Sequence, residues 1–408
     1  MNPSSSQTSG SWGAVLSITA CVAGLITVEF LPAGLLTPMA EGLRISQGMA
    51  GQTLTATAFA AIFASLFASR ATRGVDRRKV ILGYSLLLIL SCLLTALSTR
   101  FAVLLLGRVL LGLALGGFWA MAAAITMQLV PAKDVPRALS IVFGGVSVAL
   151  VLAAPAGSFL GEIVGWRGVF LLAAGLGLIC LIWQALVLPQ LPAREHRPAL
   201  AAFLVLKRAG VPAAMLAIFA VFAGQFAFFT YLRPFFEAVP HFDVQQISAV
   251  LLLFGVANFV GTSLSSFFLK GELKTTLAFA PLLLVVCAAV LITAGHLPLV
   301  TTLVVASWGM VLGVVPVGWS TWVARSLADD AESAGGLQVA VIQVANTFGA
   351  AFGGYLLDAN GPQAILMASA ILFALSAITV LAAVRVRSSA PESTGDKKQP
   401  LNTCEACS

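Results

Sequence analysis

The chain has 408 residues, of which 59% are hydrophobic and 10% charged, and its formal net charge is +7. A soluble domain carries about 25% charged residues on its surface, so this deficit excludes a water-soluble fold and requires lipid. The positive balance does not point to nucleic acid, because the basic residues fall in alternate connections rather than on one aromatic-interleaved face.

Apolar runs near 14–37, 50–69, 80–98, 101–130, 138–164 and 168–188 are followed by a second set near 211–232, 245–269, 275–295, 298–324, 335–358 and 362–386. Each is long enough to cross a hydrocarbon core at about 1.5 Å per residue. The expected fold is therefore all-α and integral to the membrane, with twelve transmembrane helices in two six-helix bundles. The first basic residue is Arg44, so no cleavable leader is expected and the first span stays. Residues 1–13 read as a cytoplasmic tail, 14–188 as the first bundle and 189–210 as a polar cytoplasmic linker carrying Arg194, Glu195, His196, Arg197, Lys207 and Arg208. Residues 211–387 form the second bundle, and 388–408 a Ser-, Pro- and Lys-rich cytoplasmic tail expected to be disordered.

Charged side chains inside the runs mark where chemistry would sit. Glu29 in the first span and Arg108 in the fourth each cost about 2.5–3.5 kcal/mol or more at mid-membrane unless paired or hydrated. Counting from the outer ends puts both about 10–12 Å deep, which permits an ion pair, direct or through water. A carboxylate that loses and regains a cationic neighbour changes its proton affinity between states. Glu29 and Arg108 are thus the candidate proton-coupling groups; a static pair that fixes helix packing is the plainer alternative.

Trp119 shares the face of Arg108, and Trp308 and Trp319 repeat that spacing in the tenth span. Phe222, Gln225 and Phe229 share a face of the seventh span, while Asn258 in the eighth and Gln343 and Asn346 in the eleventh add amides that are costly against lipid. Aromatic faces with amides suit a flat, uncharged, hydrogen-bonding solute such as a nucleobase or nucleoside. The competing reading is interhelical hydrogen bonding and interfacial tryptophan. Trp119, Phe222, Gln225, Phe229, Asn258, Trp319, Gln343 and Asn346 are the candidate substrate-binding residues.

Glu162, Arg167 and Asp358 read as helix-end charges in the headgroup zone. Asp329, Asp330 and Glu332 form an acidic loop before the eleventh span, where a helix N-terminus favours anions. Cys21, Cys92, Cys180 and Cys287 read as small apolar residues. Cys404 and Cys407 make a lone Cys-x-x-Cys, short of the four ligands of a zinc site. The sequence offers no nucleotide-binding loop, metal cluster or nucleophile–base arrangement, so neither an enzyme nor a cofactor is expected.

Sidedness follows from the basic residues. Eighteen of the 23 Lys and Arg fall on one side, Arg44, Arg100, Arg167 and Arg233 on the other, and Arg108 within a span. The basic side is cytoplasmic, and with it both termini. The halves echo each other: Gly157 and Gly161 recur as Gly349 and Gly353 at an offset of 192 residues, and the basic loop after the second span recurs weakly as 270–274. Parallel six-helix repeats of this kind place a site near the midplane between the halves.

Arg108 followed by Gly112 resembles the Arg-x-x-x-Gly of the major facilitator superfamily, and Ala153–Phe170 is similar to its antiporter motif with the following Gly-Trp-Arg-x-x-Phe. Val28–Ala40, Gly112–Met121, Phe222–Pro234 and Trp319–Thr347 resemble the purine ribonucleoside exporters among its drug:proton antiporter-like members. The resemblance covers Trp12 to Arg385. It implies a bacterial inner-membrane antiporter, expected to be monomeric, that exports inosine- and guanosine-like nucleosides in exchange for protons. Alternatives are drug or sugar export on the same scaffold and, remotely, a non-transporting receptor or membrane enzyme. The chain departs from the superfamily pattern at Asp76, which occupies the usual Gly position of the gating loop with Arg77 and Arg78, and at Ala154-Pro155, where Gly-Pro is usual.

Overall fold

A computed structural model describes residues 11–72, 74–131, 134–191, 205–268, 273–327 and 331–384. Both tails, most of the linker, Arg73, Lys270–Glu272, Asp329, Asp330, Cys404 and Cys407 lie outside these residues. The described residues form α1 (Trp12–Leu43), α2 (Gln47–Ala71), α3 (Arg77–Ala96), α4 (Phe101–Leu129), α5 (Val135–Val187), α6 (Val211–Phe229) and α7 (Leu232–Ala238). After these come α8 (Val244–Phe268), α9 (Leu273–Ala294), α10 (Pro298–Ser326), α11 (Ala331–Asn360) and α12 (Pro362–Ala383). No strand occurs among the described residues.

Ten of these helices are long and apolar enough to cross a membrane. The 53-residue α5 supplies two crossings, because Gly165 (φ 71°, ψ 160°) breaks it where the fifth and sixth runs were expected to part. Only glycine holds that φ without strain. The remaining crossing is α2, whose first turns are rich in Gly, Gln and Thr and which packs between α4 and α11. The chain is a multi-pass membrane protein with the twelve-span architecture the apolar runs predict.

Two buried cores form: α1, α3, α4 and α5 meet around Leu25, Leu88 and Phe170, and the second half packs around Phe228, Trp308 and Phe373 in a cluster that also takes in Leu36 of α1 and Ala154 of α5. The 192-residue echo has a packing cause. Gly157 and Gly161 let α5 lie against Leu31 and Leu35 of α1, and Gly349 and Gly353 let α11 lie against the Ala223 and Ala227 carbonyls of α6. Any Cβ there would push the helices apart.

The halves join along α2–α11 and α5–α8. Hydrogen bonds between them cluster at the end distal to the termini. Asp358 accepts from the Ser46 hydroxyl and from the Gly48 N–H (3.0 Å), and Gln52 Nε2 donates to the Ala351 carbonyl at 3.5 Å. Tyr231 donates to the Ala350 carbonyl at 2.7 Å, with the Gly48 carbonyl 3.5 Å away across the seam. Asp358 is thus more than a headgroup-zone charge. It bonds the first turn of α2, whose free N–H groups welcome a carboxylate.

Candidate functional site

Two prolines in α1 organise the centre of the molecule. A proline inside a helix removes the N–H that would bond the carbonyl four residues earlier. Pro32 therefore frees the Val28 carbonyl and Pro38 the Gly34 carbonyl. In a bilayer such a group must find another donor.

Arg108 of α4 serves the first. It is fully buried, donates through Nη1 to the Val28 carbonyl and through Nη2 to the Glu29 carbonyl, both at 2.9 Å, and reaches the Thr53 carbonyl of α2 at 3.4 Å. The pairing differs from the direct ion pair that matched depth permits. The guanidinium meets the main chain of Glu29 and not its carboxylate, because the proline-freed oxygen has the prior need. The Glu29 side chain is 9% exposed and accepts no hydrogen bond from the described residues. Arg108 thus binds α1, α2 and α4 together, and Glu29 stands beside it with its carboxylate uncommitted.

Next to Glu29, Phe30 crosses to the other half. Its ring lies 5.6 Å from Phe229 and 6.1 Å from Phe226, while Phe229 lies 5.6 Å from Phe254 of α8. This four-ring group joins α1, α6 and α8 at the level of Glu29. Of its members only Phe229 was expected. Phe226 is legible in hindsight, since Phe222, Phe226 and Phe229 follow helical spacing, whereas nothing local marks Phe30 or Phe254.

The other expected substrate residues divide. Gln225 is buried, and its Oε1 accepts the Trp308 indole N–H at 2.6 Å, so it joins α6 to α10 away from the rings. Phe222 is buried within the core of the second half. Asn258 donates to the Gly309 carbonyl at 3.2 Å, an interhelical bond between α8 and α10. Trp319 packs against Trp322 inside the same half, and Trp119 is half-buried beside the core of the first half. On α11, Asn346 donates to Gln343 Oε1 at 3.3 Å, and its own Oδ1 is buried without a partner. That acceptor stands one turn before Gly349, where α11 touches α6.

The gating-loop residues are tied within their own half. Asp76 caps α3 by accepting the Arg78 N–H (2.8 Å) and accepts the Leu191 N–H (3.2 Å). Arg77 donates to the Thr72 hydroxyl at 3.0 Å, and Arg78 to the Ala185 carbonyl at 2.6 Å. The displaced acid thus fastens the start of α3 to the segment that follows α5. Arg167 stacks on Trp166 at 4.1 Å and donates to the Ser98 carbonyl at 3.0 Å. No group of three or more His, Cys, Asp or Glu able to hold a metal occurs among the described residues.

Comparison with known proteins supplies the context. The family model of the Major Facilitator Superfamily matches residues 16–339. The purine ribonucleoside efflux pump NepI of Shigella sonnei (strain Ss046) is 55% identical over 378 residues, spanning 93% of this chain and 96% of that protein. The protein of the same name from Escherichia coli (strain K12) is likewise 55% identical, with the same coverage. Among solved structures, a D-xylose–proton symporter aligns with a TM-score of 0.72 at 14% identity, covering 92% of this chain and 98% of its own. A bacterial homologue of the human lysosomal transporter Spinster, inward-facing and unoccupied, aligns at 0.70 and 18% identity, covering 93% and 95%. At these identities the structural likeness speaks for the fold alone.

Proposed function

The chain belongs to the major facilitator superfamily, and from that premise we propose that it is a proton-coupled antiporter exporting purine ribonucleosides from the bacterial cell. The observation that carries this reading is the 55% identity over 93% of the chain to relatives named purine ribonucleoside efflux pumps. Inosine and guanosine are the proposed substrates, the inner membrane the proposed site, and the monomer the proposed unit. Cytoplasmic termini are part of this reading, supported by the excess of basic residues on that side of the sequence. The sealed distal end then faces outward, closed against the outside.

Glu29 is the proposed proton carrier. It is the carboxylate at the centre, uncommitted to any hydrogen bond, and a change in the distance to Arg108 alters its hold on a proton. Arg108 fixes the α1 backbone and supplies the positive field. The Phe30, Phe226, Phe229 and Phe254 rings offer faces to a purine, and Gln343 with the free Asn346 Oδ1 offers polar partners to its edge or ribose. Phe222, Gln225, Asn258, Trp119 and Trp319 hold the helices that carry those groups. Asp76, Arg77 and Arg78 brace the opposite end.

One proton entering is worth about 2.3 kcal/mol per 100 mV. At about 150 mV this sustains roughly a 300-fold gradient of a neutral solute, since about 1.4 kcal/mol is tenfold. The test is radiolabelled inosine uptake into inverted vesicles with an acidic lumen, with guanosine and a sugar as competitors. Accumulation that collapses with a protonophore is expected. Absence of inosine flux alongside normal drug or sugar flux would sink the nucleoside assignment.

A further inference from the structure

Arg233 of α7, counted from the sequence as a cation of the outer side, is turned inward, its side chain only 8% exposed. Its Nη1 donates to the Gly34 carbonyl of α1, the oxygen Pro38 leaves without a helical donor. Its Nε pairs with Glu237 Oε1 at 2.8 Å, one turn further along α7. The other carboxylate oxygen of Glu237 accepts the Thr37 hydroxyl. A single turn of the second half thus grips α1 of the first half twice, once on main chain and once on a side chain.

We propose that Arg233 and Glu237 are the latch that holds the distal end shut, positioning residues for the export cycle that never touch the solute. The proposal rests on the transporter reading at one point: the chain alternates between two access states.

The arrangement suits a contact that must release in every cycle. Arg233 and Glu237 share α7, so they stay paired when the halves part and neither charge is stranded in a low dielectric. What breaks is the bond to Gly34 and the bond to Thr37, and both α1 groups then meet water at the opened mouth. Hydrogen bonds to charged groups outweigh neutral ones, so two of them resist opening without forbidding it. Gly34 also backs directly onto the Ala154 carbonyl of α5, which fixes the acceptor in place. Asp358 closes the neighbouring α2–α11 seam through Ser46 and Gly48, and involves neither α1 nor α7.

Spin labels read the latch without any solute. One pair at exposed Glu41 and Gln363 spans the distal end. A second at Gly144 and Gly336, where an added side chain meets open space, spans the proximal end. Distances are measured by double electron–electron resonance in nanodiscs, in a cysteine-free background and in Thr37→Val and Glu237→Gln variants. Each variant is expected to enlarge the population with a long distal distance about tenfold, the scale of one hydrogen bond to a charged group. The proximal distance should shorten in step, because the halves pivot as units. Unchanged distributions in both variants would overturn the proposal. So would distal lengthening without proximal shortening, which reports loosening and not gating. Thr37→Val removes one hydroxyl at constant shape, so it decides the matter even if Glu237→Gln fails to fold. A failed inosine flux with intact reciprocal distances would remove the substrate assignment and leave the latch standing.

Discussion

The dependence of Arg108 on Pro32 can be measured directly. In the native chain, Arg108→Lys withdraws the two-pronged contact with the Val28 and Glu29 carbonyls, each 2.9 Å long. The lysine ammonium is a point donor and does not reproduce the fork. The Val28 oxygen, already deprived of its helical donor by Pro32, is then buried and unpaired, at a cost of about 1–3 kcal/mol. In a Pro32→Ala background the new alanine supplies the missing N–H, and the same Arg108→Lys change no longer orphans that oxygen. The difference between the two costs is a coupling of about 1–3 kcal/mol, of the size found between directly interacting residues. The loss of proline's rigidity in the unfolded chain appears in both arms and cancels. Unfolding of the four variants in mixed micelles, followed by tryptophan fluorescence, closes the cycle. A coupling below about 0.3 kcal/mol, the usual scatter for independent sites, would refute the assignment of Arg108 as the donor that replaces the proline.

Glu29→Gln is expected to abolish uphill inosine movement in vesicles while sparing downhill exchange, since the amide keeps the shape but carries no proton; uphill transport that survives would rule out Glu29 as the coupling group. Gly349→Leu should destabilise the second half by about 1–3 kcal/mol, because its Cβ would enter the Ala223 carbonyl; an unchanged unfolding midpoint would contradict the close α6–α11 approach. Asn346→Leu should raise the KM for inosine about tenfold, one lost hydrogen bond, with only a small change in unfolding midpoint, because the variant gives up the 3.3 Å bond to Gln343 but also removes a buried Oδ1 that has no protein partner. A membrane-impermeant maleimide should label Cys404 and Cys407 in inverted vesicles and not in intact cells, and labelling of intact cells would reverse the orientation.

Span positions were readable because lipid demands long apolar runs, and the run at 14–37 became Trp12–Leu43, that at 298–324 Pro298–Ser326. The short α7 was not, since Leu232–Ala238 continues an apolar stretch and only the two turn residues Thr230 and Tyr231 separate it from α6. Within the site, Glu29 and Arg108 stood out by charge, but charge favoured a side-chain pair. The actual partner of Arg108 is a carbonyl exposed by a proline, and main-chain oxygens carry no letter in a sequence. Asn258 and Gln225 stand out in the sequence for the same reason as Asn346, as amides where lipid would penalise them. Composition cannot tell an amide that bonds a neighbouring helix from one left with a free acceptor. The burial of Arg233 was not legible, because a single cation near a span end is normally solvated and its acceptor lies 199 positions away.

Each proline of α1 survives because an arginine elsewhere repairs what it breaks, and this has a consequence for descent. Pro32 with Arg108, and Pro38 with Arg233, should be inherited as couples. A lineage that replaces Pro38 by a residue with an N–H would relieve Arg233 of the Gly34 oxygen though not of Glu237, while one that loses Arg233 first would carry an uncapped oxygen until the proline followed. The order of loss is therefore constrained, proline before arginine, and the two couples should erode at different tempos. The first sits wholly inside one repeat, whereas the second binds the fate of one repeat to the other.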